Sequence, residues 1–150
     1  PALVGTWEED GGDATWTFSQ SGEKGYDVVC VCDSEPETYA AHLFRLGKFR
    51  FLDVCPKSSD TQGDCSRMYF IPAHMAWRAW LDGDKLRLAI LDGGRVEDMI
   101  KEKKTNIATD EIEGYGRVFT AHTPELRSFL LRNATDTKLF SEPGEYHRRK

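Results

Sequence analysis

Two histidines and one aspartate are the residues of this sequence whose side chains could transfer protons. His42 lies in segment 40–44, His74 in segment 71–75, and Asp53 among the apolar residues of segment 51–54. Imidazole exchanges a proton near neutral pH and can also bind a metal ion, and a carboxylate among apolar neighbours has a raised pKa. The three residues are therefore acid–base candidates. The alternative is that they make structural hydrogen bonds on separate faces.

Four cysteines are the remaining reactive side chains. Cys30 and Cys32 share a face of one extended segment and are too close in sequence to bridge easily, so we expect both to be free. Structural zinc sites use cysteines separated by two residues, which this spacing does not provide, and we predict no metal. Cys55 ends one predicted strand and Cys65 nearly begins the next. In an oxidising compartment we therefore predict a disulfide between Cys55 and Cys65.

Several function classes are disfavoured by motifs and composition. The sequence has no Gly-x-Ser-x-Gly elbow, no phosphate-binding glycine loop and no His-Glu-x-x-His pair, so we expect no cofactor. The 25 acidic residues outnumber the 20 basic ones, which argues against a nucleic-acid partner. The longest apolar run, residues 28–32, is far shorter than the roughly 20 residues of a transmembrane helix.

Short segments in which apolar and polar residues alternate make up most of the chain. Alternation is typical of half-buried strands, and turn signals at Gly47 and Gly83 favour antiparallel hairpins. The predicted strands cover residues 3–7, 14–19, 26–33, 38–46, 48–55, 67–81, 85–91, 107–113, 115–121 and 144–149. Two helices are predicted, one capped by Asp92 and one with Thr123 as its N-cap and Pro124 at its first position.

These elements predict an all-β protein with two helices. Sequential hairpins favour an up-and-down antiparallel meander, and closure into a barrel of eight to nine strands would remove its exposed edges. Residues 1–150 are predicted to form a single domain.

The first predicted strand contains Gly5-Thr6-Trp7, and the last contains Arg148 and Arg149. This combination resembles the lipocalin-like, or calycin, barrels. The resemblance implies that Trp7 plugs one end of the barrel beneath a basic residue from the last strand. It also implies binding of a small apolar molecule inside the barrel.

The more apolar face of each strand is expected to turn inward, which predicts an aromatic pocket. Its predicted lining is Trp16, Phe18, His42, Phe44, Phe51, His74 and Trp77. Because His74 and Trp77 are an odd number of residues apart, both can point inward only with a bulge between them. The predicted function is non-catalytic binding of a small, partly apolar ligand.

Two alternatives to this function remain open. The first is an exported envelope or interaction protein whose barrel is packed solid. The second is an enzyme that uses His42, His74 and Asp53 as acid–base groups. The oligomeric state is left undetermined.

The expected location is extracytoplasmic: secreted, periplasmic or lipid-anchored after removal of a signal segment. This expectation rests on the start at Pro1 without an initiator Met and on the even number of cysteines.

Overall fold

The computed structural model of the protein describes residues 2–32, 35–57, 74–112 and 116–150. Ten strands and two helices lie in these ranges. The strands are β1 (Gly5–Glu9), β2 (Thr15–Ser21), β3 (Gly25–Cys32), β4 (Glu35–Leu46), β5 (Phe49–Pro56), β6 (Met75–Asp82), β7 (Lys85–Ile90), β8 (Thr109–Ile112), β9 (Gly116–Phe119) and β10 (Gly144–Arg148). The helices are α1 (Gly93–Lys101) and α2 (Thr123–Arg132).

Eight of the strands form a closed antiparallel barrel in the order β1-β10-β7-β6-β5-β4-β3-β2. Consecutive strands from β1 to β7 pair antiparallel, and tight turns at Gly47 and Gly83 adopt positive φ angles of 58° and 57°. Strand β10 returns after both helices and pairs with β7 on one side and β1 on the other. The prediction of an up-and-down barrel with two helices is confirmed.

The two strands between the helices do not join the barrel. Strands β8 and β9 pair only with each other in the described residues and form a separate two-stranded sheet. Strand β10 lies next to β7 and closes the barrel. The barrel formed by the described residues therefore has eight strands. The predicted strand 67–81 begins at Met75 in the structure, and the part of it before residue 74 lies outside the described residues.

Apolar side chains form two clusters, one on each face of the barrel wall. The inner cluster takes alternate residues of each strand, such as Trp16 and Phe18 of β2 and Leu52 and Val54 of β5. The outer cluster lies between β4 to β7 and the helical part of the chain. Its buried members include Phe51, Val96, Met99, Phe129, Leu130, Leu139 and Phe140. The helices therefore cover a second apolar face, which is why β5 has buried residues on both sides.

Helix α1 begins as predicted. The Asp92 carboxylate accepts a hydrogen bond from the Arg95 backbone N–H at 3.1 Å. Helix α2 begins one position earlier than the sequence suggests, because its N-cap is His122 and Thr123 is already helical. The assignment of Thr123 as N-cap is therefore wrong, and the His122 side chain makes no capping hydrogen bond. Within the described ranges, no helix combines the length and apolar character that crossing a membrane requires.

Candidate functional site

Three of the predicted pocket residues lie in the barrel interior. Trp16, Phe18 and Trp77 are all buried in the inner cluster. The rings of Trp16 and Trp77 meet edge to face with centroids 5.1 Å apart, and Phe18 meets Tyr26 in the same way at 5.9 Å. The indole N–H groups of Trp16 and Trp77 are buried without a hydrogen-bond partner among the described residues. In this part of the interior the aromatic rings pack against one another.

The structure does not bring the other four residues to the same place. Phe44 and Phe51 belong to the outer cluster, where their stacked rings have centroids 5.7 Å apart. His42 lies two residues before Phe44 on β4, so it is on the same outer face, and its side chain is exposed. His74 lies just before β6 and is also exposed. The expectation that the aromatic face of β4 and β5 turns inward is therefore wrong. The physical reason is that helices cover that face, so hydrophobicity alone does not distinguish the inside of the barrel.

Asp53 and His74 form a pair on the outer surface. His74 Nδ1 lies 2.8 Å from Asp53 Oδ1, and the two side chains are 63% and 33% exposed. His42 is the cross-strand neighbour of Asp53 but makes no hydrogen bond to it in the described structure. The structure thus brings together two of the three acid–base candidates, His74 and Asp53. Among the described residues, no group of three His, Cys, Asp or Glu side chains is arranged to hold a metal ion.

The described cysteines all carry thiols. Cys30 and Cys32 are free, as expected, and their sulfur atoms lie 2.8 Å apart. Cys55 is not in a disulfide, and Cys65 lies outside the described residues. The Cys55–Cys65 pairing stays a prediction.

One end of the barrel is closed by Trp7 and Arg148. Trp7 is fully buried and its indole N–H donates to the Leu3 carbonyl at 2.8 Å. The Arg148 guanidinium lies over the ring, 4.2 Å from its centroid. The prediction of a buried Trp7 in contact with a basic residue of the last strand is confirmed.

A cavity of about 580 Å³ lies at residues of β4 to β7 and β10, and we call it the cationic cavity. Its basic lining residues are Arg45, Lys48, Arg50, Arg78, Lys85 and Arg87. Its acidic lining residues are Asp10, Asp82 and Glu145, and its apolar ones are Ala79, Trp80, Leu81, Leu86 and Tyr146. The six basic groups outnumber the three acidic ones although the whole chain carries a net charge of −5. Positive charge is therefore concentrated here.

None of these six basic side chains forms an ion pair with a described residue. Arg50 instead donates to the Leu81 carbonyl at 3.1 Å, and Arg87 lies over the Trp80 ring, 5.3 Å from its centroid. These contacts orient the guanidinium groups without neutralising them. The cavity therefore presents more positive than negative charge beside an aromatic surface.

Arg78 is the most unusual residue of the cationic cavity. It is only 6% exposed, and its guanidinium carbon lies 4.4 Å from the Phe49 centroid and 5.0 Å from those of Phe51 and Trp80. One Nη donates to the Arg50 carbonyl at 3.0 Å, whereas the buried Nε has no partner among the described residues. Burial lowers the pKa of Arg78, because a guanidinium cation loses hydration when it leaves water.

The sequence contains a signal for this cavity in the positions of its basic residues relative to the turns. The hairpins at Gly47 and Gly83 turn at the same end of an up-and-down barrel, and β5 pairs directly with β6. Basic residues within a few positions of either turn must therefore gather at that end. The predicted site was based on aromatic residues instead, so it did not include Arg45, Arg50 or Arg78.

The described elements define the class of protein as an eight-stranded up-and-down β-barrel, which is compatible with the lipocalin-like fold that the sequence resembles. Comparisons with protein-family models, with curated proteins and with solved structures find no match to this chain.

Proposed function

We propose that this barrel is a non-catalytic binding protein for a small, partly apolar anion, held in the cationic cavity. A volume of about 580 Å³ is in the range of small-molecule sites. Five apolar or aromatic lining residues would contact the body of such a ligand, and the basic ones would contact its anionic group. This proposal keeps the ligand class inferred from the sequence, adds a negative charge to it and moves it out of the aromatic interior.

The observation that carries the proposal is the buried guanidinium of Arg78, which forms no ion pair with any residue that the structure describes. Burying a charge is costly unless it is paired or fully hydrogen-bonded. Arg78 is buried against three aromatic rings with one hydrogen bond, to the Arg50 carbonyl, and with no carboxylate partner in the described ranges. Cation–π contacts offset part of this cost. An anion in the cavity would offset more, and bidentate pairing with a guanidinium would also fix its orientation.

Two fluorescent probes with the same aromatic body test the charge requirement. 8-Anilino-1-naphthalenesulfonate carries a sulfonate, and N-phenyl-1-naphthylamine lacks it. We expect the anionic probe to bind folded protein with about micromolar affinity, near −8 kcal/mol, and the neutral probe at least about tenfold more weakly. Affinity for the anionic probe should also fall as salt is added, because screening weakens the attraction.

Variants locate the probe. Arg78→Gln and Arg87→Gln should each weaken binding of the anionic probe by about tenfold or more, a loss of about 1.4 kcal/mol. Arg127→Gln, on the exposed face of α2, is the matched control and should leave binding unchanged. Arg87 is exposed, so its variant remains informative if Arg78→Gln disturbs the fold. Equal binding of both probes, unaffected by either variant, would overturn the proposal.

We also propose an extracytoplasmic location, supported by the even cysteine count. Non-reducing peptide mapping of protein exported to an oxidising compartment should find the Cys55–Cys65 disulfide. Recovery of both cysteines as alkylated thiols from such protein would remove this support.

A further inference from the structure

Cys30 and Cys32 stand on the inward face of β3 with their sulfur atoms 2.8 Å apart. An S–S bond is about 2.05 Å long, so the two sulfurs are closer to bonding distance than ordinary neighbouring side chains. Successive residues of a strand point to opposite faces, which places residues two apart on the same side. The extended conformation of β3 thus holds the two sulfur atoms within reach of each other.

The two thiols differ in access. Cys30 is 2% exposed and is paired in the sheet with Trp16 of β2, whereas Cys32 is exposed at the end of the strand. A reagent from solution can therefore reach Cys32 before Cys30. This division suits thiol–disulfide exchange between a dithiol and a small disulfide, in which one sulfur attacks the reagent and the second resolves the mixed disulfide.

Two acidic side chains, Glu37 and Glu9, lie near the pair, and Glu37 is the cross-strand neighbour of Cys30. Burial raises the pKa of Cys30, and the Cys32 thiol and the carboxylates of Glu37 and Glu9 raise it further. Tyr39, on the neighbouring strand, donates its hydroxyl to Glu37. Carboxylates near the sulfurs repel anionic reagents and attract cationic ones, an effect that salt reduces. The surroundings of the pair therefore select the charge of its reaction partner.

We propose that Cys30 and Cys32 form a thiol–disulfide exchange site that reduces small neutral or cationic disulfides. The Cys32 thiolate attacks one sulfur of the disulfide, whose S–S bond breaks, and the first half leaves as a thiol after taking a proton from water. The Cys30 thiol loses its proton to water, and its sulfur attacks Cys32 Sγ. The Cys30–Cys32 bond forms as the S–S bond of the mixed disulfide breaks, and the second half leaves as a thiolate that takes a proton from water. Two protein thiols are oxidised and one disulfide is reduced to two thiols.

The resulting bridge is expected to be strained and easily reduced. Residues two apart on a strand have Cα atoms about 6.4–6.8 Å apart, at the upper limit of the separations seen in disulfides. A strained and exposed disulfide has a more oxidising potential than a structural one. The bridge therefore forms while the small disulfide is in excess, and an excess of small thiol reverses the exchange.

The experiment treats the reduced 150-residue chain with cystamine, a cationic disulfide, or with oxidised glutathione, an anionic one, and then blocks free thiols by alkylation. Cys30 and Cys32 fall in one tryptic peptide, residues 25–45. We expect this peptide to lose two hydrogens and to resist alkylation. We also expect cystamine to react at least about tenfold faster than oxidised glutathione at low salt, with a smaller difference at high salt.

Three variants separate the steps. Cys30→Ser should stop at a mixed disulfide on Cys32, and Cys32→Ser should leave peptide 25–45 unreacted. Cys55→Ser is the matched control and should close the Cys30–Cys32 bridge as the parent protein does. A stable mixed disulfide on Cys32 with Cys30 present, or equal reaction rates with both reagents at low salt, would overturn the proposal. Circular dichroism of each variant verifies that the barrel is intact.

Discussion

Arg148 and Trp7 join the last and first strands of the barrel through one stacked contact, with the guanidinium carbon 4.2 Å from the indole centroid. The same guanidinium donates to the carbonyls of Val4 and Ala2, and its Nε lies 3.2 Å from an Asp84 carboxylate oxygen. Arg148 therefore connects β1, β10 and the turn after β6. A planar group with several donors can make all these contacts at once.

Trp7→Ala is expected to lower the free energy of unfolding by about 3–5 kcal/mol, the usual cost of truncating a buried aromatic residue. Arg148→Lys should destabilise by about 1–2 kcal/mol although it keeps the charge, because an ammonium cannot stack and donate in several directions together. Urea denaturation followed by Trp fluorescence measures both. Arg149→Lys, at an exposed position, is the control and should cost less than about 0.5 kcal/mol.

Gly5→Ala should be destabilising by about 1–3 kcal/mol. Gly5 has φ +127°, which L residues rarely adopt, and an added Cβ would lie 2.8 Å from an Nη of Arg148. That nitrogen donates to the Val4 carbonyl, and the other Nη of the same guanidinium donates to the Ala2 carbonyl, so the group cannot easily move aside. Gly11 has φ +80°, and no atom lies within 4 Å of a Cβ added there. The variant Gly11→Ala therefore measures the cost of a positive φ without a steric clash. An equal loss in both variants would show that the clash with Arg148 contributes nothing.

Asp92→Ala is expected to destabilise by about 1 kcal/mol, because it removes the carboxylate that caps α1. His122→Ala at the N-cap of α2 should be close to neutral, since that side chain makes no capping bond. Thermal unfolding of the two variants in parallel tests the comparison. A larger loss for His122→Ala would contradict the assignment of the two helix starts.

The free energy of unfolding is expected to fall as the pH rises above about 9. Burial raises the pKa of Cys30, Tyr39 and Tyr146 in the native state above their ordinary values of 9.0, 10.0 and 10.0. As the pH rises, the unfolded chain therefore releases these protons before the native protein does. The contribution of the three groups to the free energy of unfolding is fully present below their unfolded pKa values. It is lost as the pH rises through their native pKa values. Burial also raises the pKa of Cys55, which acts in the same direction.

Urea denaturation between about pH 8 and pH 11 measures this alkaline slope, and Cys30→Ala should make it shallower. A free energy of unfolding that stays constant up to pH 11 in the parent protein would contradict the expected linkage.

The sequence predicted the strands better than it predicted their faces. Alternation located β2, β5 and β7, and the turn glycines located the hairpins, because these signals are local. Which face of β4 and β5 turns inward depends on the helices that cover the other side, and no local pattern reports that contact. Phe44 and Phe51 were therefore assigned to the interior, whereas Trp16 and Phe18, whose outward neighbours are polar, were placed correctly.

The candidate site was less predictable for the same reason. Arg45, Arg50 and Arg78 lie on three different strands, and only the pairing of β4 with β5 and of β5 with β6 brings them to one cavity. The pairing of His74 with Asp53 likewise depends on the start of β6 next to β5. The sequence named both members of that pair but could not decide which of the two histidines approaches the carboxylate.

The position of β10 between β7 and β1 also affects how the chain folds. Val4 and Arg148 are 144 residues apart in sequence, so this closing contact has very high contact order. During synthesis, the hairpins from β1 to β7 can form while the outer edge of β1 still lacks its neighbour. Until residues 144–148 emerge from the ribosome, that edge exposes unpaired backbone groups to other nascent chains. Closure of the seam between β1 and β10 is thus expected to limit the folding rate and to end the period in which the chain is most prone to aggregate.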